Sequence, residues 1–229
     1  MLTLYFSPGA YSLASHIGLE ETGAPYEAKP TLLAKGEQKT EAYLKINPQG
    51  KLPALSVDGQ IITENTAILT YLARRFPEKK LMPSDPAEES RCIATMAWFS
   101  NIVHPSYRRW VRPERFAEGE AAQTTVKETG RKSFWANCQE IDSMLQGKDW
   151  TTGSQYTLAD GYALDFLRLG CARRISHERA QRLHGMAGPH AETSHGAENP
   201  RDRAKRFDII ARYRILSAQN WGWRPVRFL

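Results

Sequence analysis

The sequence predicts an α/β amino-terminal domain followed by an all-α domain. Three observations carry that prediction. Leu2–Phe6 alternates as a strand does and runs through SPGAYS directly into a helical stripe. KLPALSVDGQIIT, Lys51 to Thr63, sets Asp58-Gly59 between two apolar runs, which is hairpin chemistry. Two long helical patterns then follow residue 86.

Each element has a local reason. After the first strand, Leu13 and Ile17, with Ala14 and Leu19 near helical spacing, predict a helix over Tyr11–Thr22, and Gly23 stops it before Ala24-Pro25. Tyr26–Leu33 is a second extended candidate, so the chain opens β-α-β. The looser polar segment Ala34–Ile46 ends at the turn NPQG. Pro53 sits awkwardly in the first hairpin run, because proline cannot donate to a ladder. Either that end is an edge, or the Leu52-Pro53 bond is cis and the backbone offers its polar groups elsewhere. Glu64–Arg75 carries Ala67, Ile68, Tyr71 and Leu72 on one face, with basic residues in its last turn.

The second half reads as helices. Phe76–Ser90 holds three prolines and a charge cluster, a linker ending at a helix start near Asp85-Pro86. One helix is expected from Ala87 to about Arg109, loosened at Pro105. Another runs from about Glu120 to Leu145, with Val126, Phe134, Ile141 and Leu145 inward. Thr157 and Asp160 form a capping-box-like pair ahead of the apolar run Tyr162–Leu169.

Composition bounds the class. With 229 residues, 41% hydrophobic and a mean hydropathy of −0.53, the chain supports one large or two modest cores. No apolar run is long enough to span a bilayer, and MLTLYFSPGA lacks a basic, signal-like start, so a cytoplasmic protein without membrane partner is expected. Cys92, Cys138 and Cys171 show no metal-ligand spacing; they read as reduced thiols, and no metal is expected. The net charge of +6 suggests nucleic acid until its distribution is considered. Residues 171–229 hold 12 basic and 5 acidic residues, whereas the rest of the chain is nearly balanced, so no nucleic-acid partner is expected.

Three strings, SPGAYSLASHIGLEETG, NPQGKLPALSVDGQIITENTAILTYLARRFP and GSQYTLADGYAL, resemble the cytosolic glutathione transferases, most closely the bacterial beta-like branch. The likeness spans about residues 1–170. It implies an α/β thioredoxin-like N-terminal domain plus an all-α C-terminal domain, divided as residues 1–77, a linker over 78–86, and 87–170. It also implies glutathione as co-substrate, a small-molecule electrophile as second substrate, and a homodimer. By resemblance, Leu52 beside Pro53 pairs its backbone with the cysteinyl part of glutathione, Glu64 and Asn65 receive the γ-glutamyl end, and Lys35 and His104 complete the binding set. Without the family, Glu64 and Asn65 read as helix caps and His104 as a packing residue. Trp98, Phe99, Tyr107 and Trp110 read as core or as the wall of an apolar pocket.

A thiol with a pKa near 8.5 is mostly protonated at neutral pH, so the site must favour the anion with hydroxyl donors or a helix N-terminus. Where the beta class has a cysteine after the PGA triplet, this chain has Tyr11. The candidates for thiol activation are therefore Ser12, then Tyr11, then Tyr5. Their ordinary alternatives are an N-cap, a pocket wall and a core residue.

The resemblance stops near Gly170. Ile175–Pro200, ISHERAQRLHGMAGPHAETSHGAENP, has no helical stripe and several breakers. Back-translated with suitable codons and read one base later, it gives FPMSELSAYTAWQDRMLKRPTVRKIL, with the tryptophan and Arg-Pro-x-Val pattern of the family's tail. A one-base slip near codons 170–174, in the gene or in its sequencing, is the expected origin of the basic tail over 171–229 and would leave the C-terminal helices incomplete. Losing those helices uncovers apolar faces, and at about 25 cal/mol per Å2 that easily exceeds a domain's net stability of about 5–15 kcal/mol. The alternative function is thus a non-catalytic glutathione-binding remnant or an inactive product. Trp221 and Trp223 in the Arg-rich end also fit nucleic-acid or membrane contact, but out-of-frame GC-rich DNA yields arginine as well.

Overall fold

The computed structural model describes residues 1–148 and 150–169. The basic tail, with Cys171, Trp221 and Trp223, lies outside them. Strands β1 (Leu2–Phe6), β2 (Tyr26–Pro30), β3 (Ala54–Val57) and β4 (Gln60–Thr63) form one sheet in the order β2-β1-β3-β4. β1 runs parallel to β2 and antiparallel to β3, and β3 pairs antiparallel with β4. Helices α1 (Leu13–Thr22), α2 (Glu41–Leu44) and α3 (Asn65–Arg75) complete a thioredoxin-like domain. Helices α4 (Pro86–Trp98), α5 (His104–Val111), α6 (Glu120–Met144) and α7 (Leu158–Leu169) follow.

The punctuation expected from sequence is in place. Gly23 ends α1 in the left-handed conformation at φ 65°. Asp58 and Gly59 both take positive φ, 49° and 90°, as a tight hairpin of this twist requires. Pro53 lies just before β3 and outside the ladder, and the Leu52-Pro53 bond is cis. The polar segment before NPQG contains two 3-10 turns and α2 rather than unstructured loop.

The helical half departs from expectation at two points. Between α4 and α5, residues Phe99–Val103 form a π-helical turn, in which the His104 N–H reaches the Phe99 carbonyl five residues back. Pro105 explains the widening, since its ring and missing N–H are incompatible with an ordinary α-helical turn at this point. On α6 the inward stripe is Gly130, Phe134, Cys138 and Ile141, while Val126 and Leu145 are only half-buried. Cys92 is a free buried thiol, and Cys138 is buried on the inner face of α6.

A core crosses the domain boundary. Ala14, Leu69 and Ala73 of the first domain pack with Met96, Phe99, Tyr162 and Phe166 of the helical one. The linker joins that core through buried Leu81 and Met82, and the Leu81 carbonyl accepts the Leu158 N–H at 3.0 Å. Asp160 holds the start of α7 by accepting from the N–H and hydroxyl of both Thr151 and Thr157, at 2.7 to 3.0 Å.

Two stability predictions follow from this packing. Asp160→Asn, which weakens four buried acceptances at once, should lower unfolding free energy by about 2–4 kcal/mol in chemical denaturation. A Cβ at Gly130 would come within 2.6 Å of the Trp110 backbone nitrogen. Gly130→Ala should therefore cost about 1–3 kcal/mol, whereas Gly153→Ala, facing open space, should shift stability by less than about 0.5 kcal/mol.

Candidate functional site

The turn Ser7–Ser12 joins the end of β1 to α1. The Ser12 hydroxyl accepts the Ser7 N–H at 3.1 Å and donates to the Ser7 carbonyl at 3.2 Å. Ser12 is 1% exposed, so its single hydroxyl proton serves the turn rather than a ligand. Ser7 Oγ in turn accepts the Leu33 N–H at 3.3 Å, which draws the segment carrying exposed Lys35 alongside. Among the described residues, the N–H groups of Tyr11 and Ser12 have no intramolecular acceptor.

Two further stretches meet this turn. The β1–β3 register sets Ala54 opposite Tyr5, so Pro53 and Leu52 continue toward Ser7. The loop before them is fixed by Tyr43 and Asn47, whose side chains donate to the Lys51 carbonyl at 2.6 and 2.9 Å. Burial pushes the Tyr43 phenol up to about 12, so it remains a donor. Glu64 stands at φ 68°, a conformation unfavourable for a residue with a Cβ, and its side chain is exposed. Asn65, which follows, is 1% exposed. Its Oδ1 accepts from Ser15 Oγ at 2.6 Å and its Nδ2 donates to the Tyr11 carbonyl at 2.9 Å. The amide therefore faces inward, and what Asn65 presents to a ligand is its main-chain N–H at the start of α3.

Tyr11 crosses to the helical domain. Its ring lies flat on His104, with centroids 3.5 Å apart and planes 7° from parallel. Its hydroxyl hydrogen-bonds with that of Tyr162, a fully buried residue of α7. Ser100, in the π-helical turn, donates to the Met96 carbonyl at 2.9 Å, and its Oγ lies 3.0 Å from Thr66 Oγ1 on α3. Burial first, and the facing phenol and Asp165 after it, push the Tyr11 hydroxyl far above the ordinary range. Burial likewise raises Tyr162. Both phenols are neutral throughout the working pH range.

Of the sequence-derived site residues, the structure gathers Tyr11, Ser12, Asn65 and His104 into one contact network, with Leu52, Pro53 and Glu64 on the segments that border it. Tyr5 lies elsewhere. Its ring packs edge-on against Tyr43 at 6.1 Å and under the exposed Lys29 ammonium. Phe99 is core, and Trp98, Tyr107 and Trp110 pack on that core. Sequence reasoning missed Ser7, Ser15, Ser100 and Tyr162, small or aromatic residues whose partners are distant in the chain. Among the described residues, no group of histidine, cysteine and acidic side chains is placed to hold a metal, and no helix is long and apolar enough to cross a membrane.

Residues 1–74 match the family described as Glutathione S-transferase, N-terminal domain. Glutathione S-transferase GST-4.5 of Xanthomonas campestris pv. campestris is 32% identical over 168 residues, covering 73% of this chain and 81% of that protein. A solved glutathione transferase homolog from Sulfitobacter, with bound glutathione, superposes with a TM-score of 0.74 at 28% identity, over 82% of this chain and 93% of its own. The bacterial beta class glutathione S-transferase of Sphingomonas chungbukensis gives a TM-score of 0.71 at 29% identity, over 93% and 98%. The chain belongs to the glutathione S-transferase family, a family of enzymes, and shares its two-domain architecture.

Burial, and then the nearby Arg108 guanidinium, lower the His104 imidazole from 6.5 to about 3. A histidine depressed in the folded state takes up its proton first in the unfolded chain, so stability is lost as pH falls from about 6.5 toward 3. His104→Gln should show a shallower loss between pH 7 and pH 4 in denaturation titrations, by on the order of 2 kcal/mol.

Proposed function

We propose that this chain conjugates glutathione to an apolar electrophile, acting in the cytoplasm as a homodimer in detoxification. The observation that carries this reading is the Ser7–Ser12 turn, whose side-chain hydroxyl is committed to the turn while the Tyr11 and Ser12 N–H groups at the mouth of α1 are left without acceptors. Main-chain donors at a helix N-terminus favour a thiolate over a thiol. Ser12 and Tyr11 thus act on the sulfur through their backbone, and the Ser12 hydroxyl holds that backbone in place.

The remaining groups suit the rest of the tripeptide. The Leu52 N–H and carbonyl, which have no hydrogen-bond partner among the described residues, fit pairing with the cysteinyl unit. Exposed Glu64 suits the γ-glutamyl ammonium, the first N–H groups of α3 its carboxylate, and exposed Lys35 the glycyl carboxylate. In the reaction, the thiol proton leaves to solvent and a sulfur lone pair forms the bond to carbon. The leaving group departs with its bonding pair, or an activated double bond takes up a proton after addition. Tyr11 and His104 wall the side on which the electrophile approaches.

The test is a calorimetric glutathione titration beside turnover of a generic aromatic electrophile. Binding with turnover is expected, and a folded chain that binds no glutathione overturns the reading. Ser12→Ala separates the two roles of that residue. It should lower stability by about 1–2 kcal/mol and leave the ionisation of bound glutathione unchanged; a raised thiol pKa would restore the hydroxyl as activator.

We also propose that residues 171–229 are read one base out of frame, and that the domain plan 1–77, 78–86 and 87–170 continues in the shifted string. What supports this is the ordered, family-like sequence that one base of shift recovers from Ile175–Pro200. Resequencing the locus, with mass spectrometry of the carboxy-terminal peptides made in the source cell, decides it. Peptides of the shifted string are expected, and an intact frame yielding the Arg-rich peptides overturns it.

A further inference from the structure

We propose that Arg108 selects electrophiles that carry an anionic group, a carboxylate on an aromatic ring. The inference rests on the glutathione-conjugating reading given above and adds to it the charge of the second substrate.

The position of Arg108 on α5 (His104–Val111) comes first. Tyr107 and Trp110 pack against Phe134 of α6, with ring centroids 5.1 and 5.9 Å away, so their side of α5 is turned to the core. With 3.6 residues per turn, Arg108 lies across the rod from them, about 40° round from His104. His104 itself faces the first domain, where its ring stacks on Tyr11. Arg108 therefore stands one turn beyond the Tyr11–His104 wall, on the side of α5 that carries that wall.

Its charge is not balanced there. Among the described residues, the arginine ion pairs are those of Arg74, Arg91 and Arg112. Arg108, Arg109 and Arg115 have none. The Arg108 guanidinium carbon lies 6.0 Å from the centroid of Phe116, and that of Arg109 lies 5.7 Å from the same ring. A ring face steadies a cation without neutralising it. Arg108 is half-buried, and burial, with Arg115 after it, disfavours its charged form. A guanidinium nevertheless keeps its proton.

A purely apolar substrate would strip water from this guanidinium and return nothing. A carboxylate accepts its paired N–H groups and offsets the neighbouring positive charge. In the proposed site the carboxylates of glutathione already face the first N–H groups of α3 and Lys35, so the anion that Arg108 suits belongs to the electrophile.

The test compares a chlorodinitrobenzoate with the matching chlorodinitrobenzamide. In both, the glutathione sulfur forms the bond to ring carbon and chloride leaves with its bonding pair, so charge is the chief difference. Each kcat/KM is divided by its uncatalysed rate constant. Wild type should prefer the carboxylate. Arg108→Gln should lower the carboxylate-to-amide ratio roughly five- to twentyfold, through KM more than kcat. Arg108→Lys, which keeps the charge without the planar fork, should retain part of the preference. Raised salt should shrink it in wild type. Arg91→Gln, at an exposed arginine of α4, controls for net charge and should leave the ratio unchanged.

Equal handling of the two substrates by wild type overturns the proposal, as does a preference that survives Arg108→Gln. Loss of glutathione affinity in Arg108→Gln with the ratio unmoved would make the residue a glutathione contact, and overturns it too. For a folded chain that binds glutathione without turnover, the calorimetric affinities of the two S-aryl glutathione conjugates are judged by the same criteria. A folded wild-type chain that binds no glutathione overturns the proposed function and this inference together. One that binds it, with no regard to the charge of the second substrate, overturns this inference alone.

Discussion

The Asn65 carboxamide is the junction on which the site depends. It is buried, and it joins α1 through Ser15 and the β1–α1 turn through the Tyr11 carbonyl. Its oxygen takes the Ser15 hydroxyl and its nitrogen donates to the Tyr11 carbonyl, so the plane of the amide is set from both ends. Burying so many polar groups is tolerable only because they satisfy one another. The consequence is a division of labour: side chains face inward and hold the turn, and the Tyr11 and Ser12 N–H groups are left without an intramolecular acceptor among the described residues.

That arrangement needs the two domains to be one solid body at the cleft. The shared core, in which Leu69 and Ala14 pack with Phe99, Tyr162 and Phe166, makes a domain boundary in sequence that is not a boundary in packing. The π-helical turn contributes a second constraint. By accommodating Pro105, it lets Ser100 meet Thr66 of α3 while His104, four residues on, stacks on Tyr11. A regular helix through Pro105 would lose a backbone bond and clash with the preceding turn. The proline and the site geometry are thus linked.

Much of this frame was legible in the chain. Leu2–Phe6, the Asp58-Gly59 hairpin and the Asp85-Pro86 helix start declare themselves through local periodicity and turn chemistry, and each stands where expected. Pro53 announced itself as anomalous, and that anomaly located the loop beside the turn. What could not be read is set by long-range packing. Gly130 and Cys138 replace Val126 and Leu145 on the inner face of α6 because α5 approaches so closely at Trp110. The commitment of the Ser12 hydroxyl to Ser7 was equally hidden, since an N-cap and a thiol donor look alike in sequence.

Position 11 shows why residue identity and chemistry separate in such a site. A cysteine there would bring a second thiol, and with it disulfide exchange, into contact with bound glutathione. Tyrosine removes that option, and its phenol, neutral and bonded to Tyr162, does not replace it. If activation were a side-chain function, this change would abolish it. If activation belongs to the Tyr11 and Ser12 peptide groups, position 11 is constrained only to hold its own main chain in register. A long aromatic anchored across the domain boundary does so at least as firmly as a short side chain. On the proposed main-chain reading, tyrosine at this position alters which reactions a bound sulfur can enter and leaves the donors that would ionise it in place.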